Sequence, residues 1–132
     1  MSPQSTLRNR LGKNKILVVP GVYDAFGAIM AERAGFEALY LSGASIAYTK
    51  LGSPDIGLIT LNELESVVGN VCERSALPII VDADTGFGNA LNVQRTIKLL
   101  ERASRAAFIF PFISTALTRV FPSRCPHRLG RD

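Results

Sequence analysis

The chain has 132 residues, 47% apolar and 20% charged, with a mean hydropathy of +0.20. That composition belongs to a soluble globular domain with a modest core, and the length suits one domain. The net charge of +4 divides into +4 for residues 1–15, −4 for residues 16–100 and +4 for residues 101–132, so the middle of the chain is acidic and nucleic acid is not expected as a partner.

The polar, basic N-terminal segment 1–15 has no apolar stretch of the kind a signal peptide needs. Next, "KILVVPG" (15–21) reads as a buried strand closed by Pro-Gly. "YDAFGAIMAERAGF" (23–36) predicts a helix, with Asp24 as N-cap, Gly35 as its stop and an apolar side at 26, 29, 30 and 34. "EALYLSG" (37–43) is a second short strand, and "ASIAYTKLGSPD" (44–55) a short helix running into a Gly/Pro loop. "TLNELESVVGNVCERSA" (60–76) opens with a capping box, Thr60 and Glu63, ahead of Leu64, Val67, Val68 and Val71. "LPIIVDAD" (77–84) is a third strand. "NALNVQRTIKLLERAS" (89–104) is a helix with Val93, Ile97 and Leu100 on one side, and "AAFIF" (106–110) a fourth strand.

The expected order is β-α-β-α-α-β-α-β. The strands are short, continuous and apolar, as parallel strands covered on both faces are. Runs such as "ILVV" and "AAFIF" are far too short to span a membrane. Two cysteines, Cys72 and Cys125, are too few for a disulfide framework, which points to a cytoplasmic protein. Cys72 sits on the apolar side of its helix and reads as core packing. His127 reads as a solvated residue of the C-terminal segment.

In α/β folds, ligands gather at the carboxyl ends of strands. Three such ends carry polar groups: Tyr40-Leu41-Ser42-Gly43, Asp82-Ala83-Asp84, and the loop holding Asp55. If the third strand runs to 84, Asp82 and Asp84 project from one face, where like charges repel and lose solvation. A divalent cation relieves both problems, and hard carboxylate oxygens suit Mg²⁺. Equally, both aspartates could cap the next helix or accept from turn amides. Spacing alone leaves the two readings open.

"VDADTGFGN" (81–89), with "YLSGAS" upstream and "LGSPDIGLITLNE" between, resembles the isocitrate lyase / phosphoenolpyruvate mutase superfamily, most closely its short-chain lyases and phosphonomutases. "PGVYDAFGAIMAERAGFEALYLSG" fits the first β-α-β of that family, and the resemblance covers about residues 8 to 103. It implies a (β/α)₈ TIM barrel that binds Mg²⁺ and a small 2-oxo or 2-hydroxy carboxylate. By the same resemblance, Asp82 ligates the metal and also contacts substrate, while Asp84 and Asp55 hold metal-bound waters. Tyr40, Ser42, Gly43 and Ala44 line the substrate carboxylate. The implied chemistry makes or breaks a C–C or P–C bond beside the enolate of a pyruvate-like unit, with Mg²⁺ as Lewis acid. Members of the family are homo-oligomers.

The likeness falters after residue 104. The family's next strand ends in a Glu-Asp pair, whereas "AAFIFPFIS" (106–114) has no acid. "VFPSRCPH" (120–127) resembles the family's gating loop and would make Cys125 the acid/base residue, but Ser123 and Pro126 replace its Lys and Gly. A complete barrel takes about 250 residues. The expectation is therefore a truncated N-terminal half-barrel over residues 16–110, followed by a divergent, poorly ordered tail over 111–132, either a misread form of the family sequence or a true short paralogue. Such a chain is expected to self-associate and to have impaired or no lyase activity. The alternative is a non-catalytic fragment that docks on a full-length subunit.

Overall fold

The structure is a computed structural model, and it describes residues 3–103 and 107–109, with side chains over 6–103. Helix α1 (Pro3–Leu11) precedes strand β1 (Gly21–Val22) and helix α2 (Ala25–Arg33). Strand β2 (Leu39–Leu41) leads into helix α3 (Gly43–Ile46), which continues as a π-helical turn, Ala47–Leu51. Helix α4 (Leu61–Arg74), strand β3 (Ile79–Asp82), helix α5 (Ala90–Ala103) and strand β4 (Ala107–Ile109) complete the order. The tail expected over 111–132, with Cys125 and His127, lies outside the described residues. Among those described, no helix is long and apolar enough to cross a membrane.

The four strands form one parallel sheet in chain order, β1-β2-β3-β4. Parallel neighbours joined through helices are the repeating unit of a (β/α)₈ barrel. Alternate residues divide the sheet into two faces. Leu39, Leu41, Ile79 and Val81 are fully or almost fully buried and pack with Ala28, Ala31, Leu64, Val67, Val68, Val71 and Leu100 of the helices. α2 lies on α4, and α4 on α5. Burying each large aliphatic side chain contributes roughly 1.5–3 kcal/mol, so this helix-covered face holds most of the apolar stabilisation.

The other face presents Ala38, Tyr40, Ile80 and Asp82. At its amino end, Leu7 of α1 packs with Ala38, Leu17, Val19 and Ile80. Arg10 fixes α1 there. Its guanidinium donates to Glu37 Oε2 at 2.8 Å and to the carbonyls of Lys15 and Ile16 at 2.9 and 3.0 Å. α1 thus covers the amino end of this face and not its carboxyl end.

Several local signals hold. Asp24 caps α2 by accepting from the Gly27 amide. Gly35, at φ +86°, stops that helix, with the amides of Gly35 and Phe36 donating to the carbonyls of Glu32 and Ala31. Thr60 and Glu63 form the full capping box of α4.

Three expectations need correction. The first strand is not 15–21. Regular pairing begins only at Gly21, and Ile16 and Val18 are 85% and 63% exposed, because among the described residues β1 is an edge strand with a partner on one side only. The apolar side of α2 is not 26, 29, 30 and 34 either. Phe26 and Met30 point outward, while Ala28 and Ala31 meet the core, because small residues let the helix sit close to sheet and neighbour. Lastly, β3 ends at Asp82. Asp84 has φ +49°, a left-handed conformation no strand residue adopts, so it reaches its position through a turn and not by alternation.

Candidate functional site

At the carboxyl end of the sheet, Tyr40 donates its hydroxyl to Asp82 Oδ2 at 2.9 Å, and the Asp84 amide donates to Asp82 Oδ1 at 3.0 Å. Each oxygen of Asp82 thus has a donor and keeps a further lone pair. The turn-amide reading of the aspartates is therefore correct for Asp82, and it leaves room for a cation. Burial, then the hydrogen bond to Asp82 and the charges of Asp82 and Asp55, push the Tyr40 phenol up to about 12. Tyr40 is held as a protonated donor.

A cavity of about 100 Å³ opens beside this pair, lined by Gly43, Ala44, Asp55, Gly57, Ile59, Leu64, Asp82, Asp84 and Phe87. All three predicted carboxylates converge there from three segments: Asp82 from the end of β3, Asp84 from the turn after it, and Asp55 from the loop after the π-helical turn. Gly43 and Ala44 open α3, where the first amides of a helix have no acceptor within it. Ser42 caps α3 by accepting from the Ser45 amide at 3.3 Å, and it does not line the cavity. Tyr40 does not line the cavity either, and its link to it is the hydrogen bond to Asp82. Cys125 lies outside the described residues.

The loop beyond β3 is held tightly. Asp84, Gly86, Phe87 and Gly88 all have positive φ. A Cβ on Gly86 would come 2.5 Å from Val93 Cγ2, and one on Gly88 would come 2.7 Å from Asn92 Cγ, so both glycines are required for the loop to lie on α5. Sequence reasoning missed Thr96, a fully buried threonine whose hydroxyl donates to the Gly86 carbonyl at 2.9 Å. A polar residue within the apolar stripe of that helix was the available signal.

The donors suit one kind of ion. Carboxylate oxygens favour a hard cation, and among the described residues no sulfur or imidazole lines the cavity. Among the described residues, no three metal-binding side chains close on one point. Mg²⁺ fits that arrangement, since it binds through one or two carboxylates and retains water. A larger depression of about 620 Å³ lies on the outer side, bordered by Tyr23, Phe26, Lys50, Asn70 and Arg74, away from the converging carboxylates.

Comparison with known proteins shows the family and the fold. Residues 7–110 match the family model described as phosphoenolpyruvate phosphomutase. A 2-methylisocitrate lyase from Aeropyrum pernix is 47% identical over 98% of this chain and 40% of its own length. A crystal structure of 2,3-dimethylmalate lyase superposes with a TM-score of 0.75 at 38% identity, over 83% of this chain and 39% of that one. Phosphonopyruvate hydrolase in complex with oxalate and Mg²⁺ gives a TM-score of 0.77 at 26% identity, over 83% of this chain and 38% of that one. The chain thus spans about 40% of the length of the relatives it matches.

Proposed function

This chain belongs to the phosphoenolpyruvate phosphomutase family, and from that premise we propose that it builds the Mg²⁺- and carboxylate-binding part of a lyase or mutase site. The substrate class is small 2-oxo or 2-hydroxy carboxylates that react through an enolate of a pyruvate-like unit. The observation that supports this is that Asp55, Asp82 and Asp84 line one small cavity with Gly43 and Ala44 of α3 at the carboxyl end of a parallel sheet.

In this reading Asp82 holds the cation directly, and Asp84 and Asp55 accept from its waters. Bound there, Mg²⁺ supplies Lewis-acid stabilisation to negative charge developing on a substrate oxygen. The protein's own part is orientation. Tyr40 and the Asp84 amide fix the Asp82 carboxylate in one rotamer, so no reorganisation is needed when the ion binds. Gly43 and Ala44 offer backbone donors to a substrate carboxylate. Ile59, Leu64 and Phe87 supply an apolar wall that keeps bulk water from the reacting carbon. Acid/base work by Cys125 belongs to the same proposal and rests on the family loop alone. The chain alone is expected to bind weakly and to turn over little.

Calorimetric titration of Mg²⁺, then of oxalate, into wild type and Asp82→Asn tests the reading. Heat of binding in wild type and none in Asp82→Asn is the expected result. Equal heats in the two proteins would remove the metal site.

A further inference from the structure

The loop after β3 meets α5 along Asn92, Val93 and Thr96, with Asn89 immediately before the helix on the same line. These fall at i, i+3, i+4 and i+7, one stripe of a helix. Each touches the loop or closes its end. Asn89 Oδ1 accepts from the amides of Leu91 and Asn92 at 3.0 and 3.1 Å, and Asn92 Oδ1 accepts from the Asn89 amide at 3.3 Å. Gly88 lies against Asn92, and Gly86 against Val93, with no room for a side chain at either position. Thr96 is the deepest of the four. It is fully buried and gives its hydroxyl to the Gly86 carbonyl at 2.9 Å.

Two features of this bond point beyond packing. A threonine within a helix ordinarily returns its hydroxyl to a carbonyl of the preceding turn. Thr96 instead reaches across to a segment ten residues earlier. That segment also holds two non-glycine residues at positive φ, Asp84 at +49° and Phe87 at +64°. Such a backbone persists only where its surroundings over-determine it. Of the contacts that do so, the Thr96 bond grips the carbonyl two residues after Asp84.

We propose that Thr96 is a positioning residue: by anchoring the Gly86 carbonyl it holds the turn that brings Asp84 into the cavity beside Asp55 and Asp82, and so sets divalent-cation affinity without touching the ion. This rests on the Mg²⁺ reading of the site. Like other groups that orient ligands from behind, its loss is expected to weaken binding about tenfold.

The test uses the whole 132-residue chain as wild type, Thr96→Val and Thr96→Ser. Valine keeps the shape and removes the donor, and serine keeps the donor. Mg²⁺ is titrated calorimetrically, and amide hydrogen exchange is followed without metal. Support is about tenfold weaker Mg²⁺ binding in Thr96→Val, with faster exchange confined to residues 84–89 and both effects reversed in Thr96→Ser. Equal Mg²⁺ affinity in wild type and Thr96→Val overturns the proposal while leaving the metal site standing. Faster exchange across α4 and α5 together overturns it too, since Thr96 would then be a general core residue. No heat with wild type removes the metal reading itself, and the claim on cation affinity falls with it.

Discussion

Tyr40 and Asp82 are joined across the seam of two parallel strands by a 2.9 Å hydrogen bond from the phenol to Oδ2. Tyr40 lies in register with Ile80, so its ring leans along the strand to reach the carboxylate two residues further on. Removing the hydroxyl in Tyr40→Phe takes a donor from a charged acceptor, and a cost of about 1.5–3 kcal/mol is expected in urea unfolding. The phenol is raised from 10.0 to about 12. Above pH 10 the unfolded chain releases a proton that the folded chain keeps, so stability falls as pH rises. The contribution is complete below pH 10 and gone above about 12. Wild type should lose stability faster than Tyr40→Phe across that window, and parallel curves would refute the coupling.

Gly86→Ala places a Cβ 2.5 Å from Val93 Cγ2 at a φ of +91°. Steric clash and backbone strain then add. A loss of about 2 kcal/mol or more is expected in denaturant unfolding, with Mg²⁺ binding lost alongside. Unchanged stability would mean that the loop does not lie on α5.

Thr60→Ala removes the hydroxyl half of the capping box and leaves the residue 60 amide able to donate to Glu63, and about 1 kcal/mol should be lost near neutral pH. The backbone and side chain of Thr60 donate to Glu63 and hold its carboxyl below 4.5. A lowered carboxyl stabilises above pH 4.5 and ceases to as pH falls through its folded value. The difference between wild type and Thr60→Ala should therefore shrink below pH 4.5. Helical dichroism during thermal melting at pH 7 and pH 3 is the measurement.

Turnover by the isolated chain should be near background on 2-methylisocitrate, 2,3-dimethylmalate or oxaloacetate. The relatives it matches are more than twice as long, and each positioned group missing from a site costs on the order of 10²–10⁴ in rate. Clear Mg²⁺-dependent turnover, abolished by Asp82→Ala, is the outcome that sinks this.

Physical state follows from the surface. Ile16, Phe26, Ile56 and Leu91 are 85%, 70%, 68% and 74% exposed. Large apolar groups in water favour association. The purified chain should bind an apolar dye and sediment heavier than 14.3 kDa. A sharp monomer with fixed near-ultraviolet signals and cooperative melting overturns that.

Short-range features were the legible ones. Asp24, Gly35 and the Thr60–Glu63 box act within a few residues of themselves, so sequence displays them directly. That Asp55, Asp82 and Asp84 line one cavity agrees with the strand-end topology, while the roles expected of them came from the family resemblance. Features that depend on contact across the fold stayed hidden. Phe26 and Met30 read as core because hydrophobicity outranks small size in any periodic count, yet close helix packing selected Ala28 and Ala31. Asp84 read as strand because alternation cannot show a residue turning to φ +49°. Leu7 and Arg10 passed as part of a basic segment, because nothing local shows that a helix there closes one end of the sheet.

The alternation within β2 and β3 has a consequence for inheritance. Leu39, Leu41, Ile79 and Val81 answer to the helices, whereas Tyr40 and Asp82 answer to the cavity. Neighbouring residues of one strand thus face different surroundings, one set the apolar core and the other the carboxyl-end cavity with its hydrogen bonds. A lineage can exchange the second set for new chemistry while the first keeps the sheet intact.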